Sequence, residues 1–118
     1  MDLDDYSRQA HQTAKYPPYP VWGVMGSIPN PPLYPLLGLS GEVGEIFEKI
    51  KKIIRDKNCI ANSDDWFGIL YELGDILWYL NEIALSLGVT LQDIAAMNLE
   101  KLKSRNDRNA IQGSGDDR

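Results

Sequence analysis

The sequence predicts an all-α fold, an antiparallel helical hairpin with shorter helices packed on it. Two long stretches repeat their apolar residues at three- and four-residue spacing, and no segment alternates with period two. All seven prolines fall between Pro17 and Pro35, which marks that stretch as an extended arm and not a helix interior.

Taken in order, residues 3–14 are polar and helix-compatible but short. The proline-rich arm at 16–35 comes next, carrying Tyr16, Tyr19, Trp22 and Tyr34. It reads either as a linker folded over the bundle or as a lid whose aromatics stack on a base. The first long helix runs from Pro35 to Arg55, with Leu36, Leu39, Val43, Ile46, Phe47, Ile50, Ile53 and Ile54 on its stripe. The segment DKNCIANSDD breaks the pattern, and Ser63 or Asp64 is placed to cap the next helix. This second long helix spans Asp65 to Leu87, and Gly88 is placed to stop it. Thr90 with Asp93 resembles a capping box and opens a last helix to Arg105.

Residues 1–106 therefore form a single domain, and 107–118 form a tail with little to bury, expected to be disordered. Phe67, Trp78 and Leu85 lie off the main stripe of the second long helix. A domain this small cannot easily cover two apolar faces, so a homo-oligomer is expected, with Trp78 at its interface.

Composition narrows the chemistry. The net charge is −5 and there is no basic block, which disfavours a nucleic-acid polymer as partner. No stretch approaches the roughly 18 apolar residues that span a bilayer, so no membrane role is expected. The polar, acidic N-terminus is no secretory signal, and the lone Cys59 suits a reducing, cytoplasmic setting. Phosphate handling by so acidic a chain needs a metal between carboxylates and phosphates, and free nucleotides suit it better than polymers.

The chemistry lies in two short patterns, Glu42-Val43-Gly44-Glu45 and Glu72-Leu73-Gly74-Asp75. Within each, the acids are neighbours on one helix face, at the rim of the apolar stripe. The two long helices also match at a constant offset. Gly38 aligns with Gly68, Glu42 with Glu72, Gly44 with Gly74 and Glu45 with Asp75. A glycine one turn before each acid pair leaves a gap, serving either close helix contact or room for a ligand. Folded as a hairpin, Glu42 faces Asp75 and Glu45 faces Glu72 about a point between residues 58 and 59. Four carboxylates at one level repel unless a cation sits among them. An all-oxygen set suits a hard divalent ion, Mg²⁺ with Mn²⁺ as substitute, and the absence of Cys and His from both patterns disfavours Zn²⁺ or di-iron.

The runs LLGLSGEVGEIFEKIKKIIRD, ELGDILWYL and NLEKLKSR resemble the MazG-like all-α nucleoside triphosphate pyrophosphohydrolases. Their Glu-x-x-Glu, spacer, Glu-x-x-Asp signature is met by Glu42, Glu45, Glu72 and Asp75, and the likeness covers roughly residues 33–106. The resemblance implies a helical bundle assembled as a homodimer or homotetramer. It also implies Mg²⁺-dependent hydrolysis of a (deoxy)nucleoside triphosphate to monophosphate and pyrophosphate. Relatives act on dCTP, dUTP, damaged nucleotides or phosphoribosyl-ATP, so a specialised substrate stays open. So does a non-catalytic, metal-binding helical interaction module. Glu45 is the carboxylate taken to activate water. The resemblance gives Asn98 and Lys101 of the last helix a nucleotide-binding role, with Asn98 turned inward on its stripe. Arg105 and Lys49 are further phosphate candidates, and Tyr79, Tyr34 and Trp22 are candidates for the base.

Overall fold

The computed structural model describes residues 1–16 and 32–118. Trp22 and Tyr19 lie outside the described residues, whereas Tyr16 and Tyr34, at the ends of the arm, lie inside. The described residues form four helices, α1 (Leu3–His11), α2 (Leu33–Asp56), α3 (Ser63–Ser86) and α4 (Leu91–Asp107), and no strand. The all-α expectation holds. Among the described residues no helix is long and apolar enough to cross a membrane.

Helix boundaries obey local chemistry. The Asp2 side chain accepts from the Asp5 N–H, and α1 carries Asp4 and Asp5 in its first turn with Arg8 and His11 in its last, complementing the helix dipole. It stops at His11, short of the expected residue 14, because the Thr13 hydroxyl and N–H both turn back to the Ala10 carbonyl. The first long helix starts two residues earlier than expected, at Leu33. Pro35 is tolerated because it falls in the first turn, where no intrahelical N–H bond is lost. The cap of α3 is Asn62, not Ser63 or Asp64. Its side chain accepts from Asp65 N–H at 3.0 Å, and Asp65 accepts from the Asn62 N–H at 2.9 Å. Gly88 sits at φ 79°, the left-handed conformation that ends α3 as expected. Thr90 and Asp93 close the expected capping box at the start of α4.

The hairpin of α2 and α3 is the frame, and α1 and α4 pack on α3 and on each other. Ser7 and Ala10, both buried, let α1 approach α3 closely. A buried carboxylate then anchors it. Glu82 is 1% exposed and accepts from His11 Nδ1 at 3.0 Å, Tyr16 Oη at 3.3 Å and Asn81 Nδ2 at 3.3 Å. A polar group so buried persists only with such hydrogen-bond partners. Trp78, expected at an oligomer face, instead docks α1. Its indole N–H donates to Thr13 Oγ1 at 2.8 Å and to the Ala10 carbonyl at 3.2 Å.

Beyond α4 the chain returns along the helix, where buried Arg105 donates to the carbonyls of Gly115 and Asp116.

A single chain leaves much apolar surface in water. Phe47, Trp66, Phe67, Leu70 and Tyr71 are all more than half exposed. The radius of gyration is 17.8 Å, against about 13–14 Å for a compact chain of this length.

Replacing the α4 cap tests how much these boundary contacts contribute. Thr90→Ala is expected to lower unfolding free energy by about 1 kcal/mol in urea denaturation. An unchanged midpoint would mean that the box contributes nothing to α4.

Candidate metal centre

The site arises from the register of α2 against α3. Carboxylate oxygens of Glu42, Glu72 and Asp75 all lie within 4.8 Å of one another. Glu42 and Glu72 are half-buried, and Asp75 is exposed. Glu42 shares a hydrogen bond with Glu72. Burial first, then that hydrogen bond, then the charges of Asp75, Glu72 and Glu45 hold the Glu42 carboxyl above the usual carboxylate range. Three clustered carboxylate oxygens are a donor set for a hard divalent cation. Glu45, predicted as a fourth member, stands apart: it is exposed and reaches Glu42 only through its charge. Lys49, a phosphate candidate by sequence, has its Nζ 3.2 Å from Glu72 Oε1. Neither His11, bound to Glu82, nor the exposed Cys59 joins the acids.

The expected gaps beside the acid pairs are filled from across the hairpin. The Tyr79 ring lies on Gly38, where a Cβ would run into it, so glycine is what permits the contact. The Lys49 side chain crosses Gly68, with Cδ 3.7 Å from where a Cβ would stand. Gly44 and Gly74 have nothing within 4 Å of that position among the described residues. Burial, then the neighbouring Tyr34, Glu42 and Asp75, pushes the Tyr79 phenol above its ordinary value. Tyr79 is thus at the edge of the acids. It meets Trp78 edge-on at 5.0 Å, Trp78 meets Tyr16 at 6.3 Å, and Tyr16 stacks on Tyr34 at 4.7 Å. Tyr6 is a neighbour that sequence reasoning does not single out. Burial and the charges of Asp75 and Glu82 raise its phenol, which places α1 beside the site. Its only sequence signal is its spacing with Leu3, Ser7 and Ala10 on the inner face of α1.

The model of the MazG nucleotide pyrophosphohydrolase domain matches residues 32–109, well over half of the chain. The chain belongs to the MazG family. It is also similar to the Gene 37 protein of Mycobacterium phage L5, with 45% identity over 69 residues. That match covers 58% of this chain and 60% of the phage protein. No solved structure matches the chain.

Not every residue singled out in the MazG domain meets the acids. Asn98 is exposed, not turned inward. With Lys101 it lines a cleft of about 510 Å³ whose other walls include Leu3, Leu77, Ile94 and Met97. Of the expected α4 stripe, only Leu91 is fully buried, because α4 is covered by α1 and α3 on one side alone. Lys101 lies 3.3 Å from Asp116, and Arg105 is held by the same terminal segment. Tyr34 is 41% exposed and stacked on Tyr16.

The raised Glu42 value fixes the sign of a stability effect. For an acid whose folded value exceeds the unfolded one, the stability contribution is full below the unfolded value and lost as pH rises through the folded one. In EDTA at pH 7, Glu42→Gln should therefore melt at or above the wild-type temperature. Its advantage should shrink as pH falls and wild-type Glu42 takes up its proton. A Glu42→Gln protein less stable than wild type at pH 7 would contradict the crowding of these carboxylates.

Proposed function

We propose that this chain hydrolyses a (deoxy)nucleoside triphosphate to the monophosphate and pyrophosphate, with Mg²⁺ held by Glu42, Glu72 and Asp75 and Mn²⁺ able to replace it. The observation that carries the reading is the three-carboxylate group at one level of the hairpin, in a chain of the MazG nucleotide pyrophosphohydrolase family. A hard cation bound there supplies positive charge against phosphate oxygens and against charge developing in the transition state. The chain's own part is then positional. Glu42, Glu72 and Asp75 would serve as the cation's oxygen donors. Glu45, exposed and outside the cluster, is free to orient a water and accept its proton as the oxygen attacks the α-phosphorus. The bond from that phosphorus to the bridging oxygen breaks, and pyrophosphate leaves.

The same reading extends to assembly. The exposed aromatic and aliphatic residues of α2 and α3 support a homodimer or homotetramer in which a second copy covers them. The cleft that Asn98 and Lys101 line has none of the acids among its described walls, which supports packing of copies as the route by which they would meet a nucleotide. The net charge of −5 supports free nucleotides as substrates, in the cytoplasm, over nucleic acid.

Purified protein incubated with each NTP and dNTP is expected to release monophosphate and pyrophosphate in Mg²⁺ and nothing in EDTA. Glu45→Gln should lower kcat by roughly 10²–10⁴-fold. Diphosphate and orthophosphate as products would show that the wrong bond has been assigned. No turnover of any nucleotide, phosphoribosyl-ATP included, would overturn the enzymatic reading.

A further inference from the structure

The two ends of the acid cluster are unlike, and the internal repeat shows how. The offset that relates α2 to α3 aligns Lys49 with Tyr79 as it aligns Gly38 with Gly68. In the fold each of these side chains crosses the opposite helix at its glycine: Tyr79 over Gly38 and Lys49 over Gly68. Equivalent places on either side of the carboxylates thus hold an aromatic ring and a cation. Behind Tyr79 lie Trp78, Tyr16 and Tyr34, an aromatic wall on the side away from the hairpin turn. Behind Lys49, toward the turn, a cleft of about 320 Å³ opens, lined by Lys49, Lys52, Lys57 and Asp64 among others.

The cations of that cleft are not equally committed. Lys57 is taken up by Asp65 at 2.7 Å, and Asp56, also on the wall, accepts from Arg55. Lys52 is 3.8 Å from half-buried Glu48, a loose contact. Lys49 is paired with Glu72, a member of the acid cluster itself. Its ammonium therefore stands on the border between the carboxylates and the cleft. Lys49 can exchange a carboxylate oxygen for a phosphate oxygen without losing an anionic partner.

A nucleoside triphosphate has the matching asymmetry, an aromatic base at one end and a polyanion at the other. Resting on the functional reading above, we propose that the nucleotide lies along the α2–α3 groove in one direction. Its β- and γ-phosphates point toward the hairpin turn, onto Lys49 and Lys52, and its nucleoside points toward Tyr79. Lys49 is then a binding residue for the pyrophosphate half, and Tyr79 for the monophosphate half.

The two product halves separate the two ends. Isothermal titration of the full chain in Mg²⁺, with inorganic pyrophosphate and then with the monophosphate of its best substrate, reads them independently of turnover. Lys49→Met should weaken pyrophosphate by about tenfold or more, the loss of a charge-assisted contact, and leave the monophosphate within about twofold. Tyr79→Leu should do the reverse. Lys51→Met, which removes the same charge from a lysine paired outward with Glu48 at 2.7 Å, should change neither. Circular dichroism checks folding, and Lys49→Gln repeats the test should the methionine variant be unstable. Loss of monophosphate affinity alone in the Lys49 variants would reverse the direction and overturn the proposal. Equal loss of both ligands with a raised Mg²⁺ requirement would mean that Lys49 serves Glu72, and would also overturn it. No change in either ligand does the same. These outcomes, in a wild-type protein that hydrolyses its nucleotide, sink the orientation alone. A wild type with no turnover sinks the functional reading with it.

Discussion

The register of α2 against α3 is the constraint on which the rest depends. Because facing residues are related about a point between residues 58 and 59, Glu42 comes level with Asp75, Tyr79 with Gly38 and Lys49 with Gly68. A slip of one residue along either helix would rotate that helix by about 100° and scatter all of these contacts. The turn that sets the register is held at several points. Lys57 pairs with Asp65, Asn62 caps α3, and the Cys59 N–H returns to the Ile53 carbonyl across Asn58 and Cys59, both with positive φ. The close approach at Gly38 locks the far end, since no larger residue fits under the Tyr79 ring.

Much of this is legible in the sequence because it depends on spacing along helices. Apolar periodicity locates α2, α3 and α4, Gly88 and the Thr90–Asp93 box mark their borders, and the paired acids locate the cluster. The remainder depends on which side chains cross between helices, which spacing alone does not state. Ser63 and Asp64 are as good caps by residue type as Asn62, and only the reciprocal bond with Asp65 selects among them. The gaps at Gly38 and Gly68 read either as close helix contact or as space for a ligand, and long side chains from the facing helix fill them. Asn98 reads as inward only if the stripe of α4 is fully covered, whereas α1 and α3 cover one side. Glu82 carries no spacing signal, and Tyr6 only its place on the inner face of α1, for a related reason. Their importance comes from the docking of α1, whose short polar sequence shows little of its destination.

The frame of the site is incompletely covered by its own chain. The helix that carries Glu42 and Glu45 is approached by α3 alone among the helices, and the outward faces of both long helices are rich in exposed apolar residues. Burial of such residues is worth about 25 cal/mol per Å², a driving force that a lone chain leaves unused. Half of the acids thus sit on a helix that α3 alone among the helices supports. Whatever covered α2 and α3 would also steady the register that brings the carboxylates together.

If that register makes one divalent-cation site of Glu42, Glu72 and Asp75, the ion itself can be counted. Electron paramagnetic resonance titration with Mn²⁺ tests this most directly, because bound and free ions are distinguished without substrate or turnover. Saturable Mn²⁺ binding that Mg²⁺ displaces is expected, weakened by roughly tenfold or more in Asp75→Asn through loss of one charged donor. Wild-type protein that binds no Mn²⁺, or an Asp75→Asn protein that binds it as tightly as wild type, would contradict the shared site.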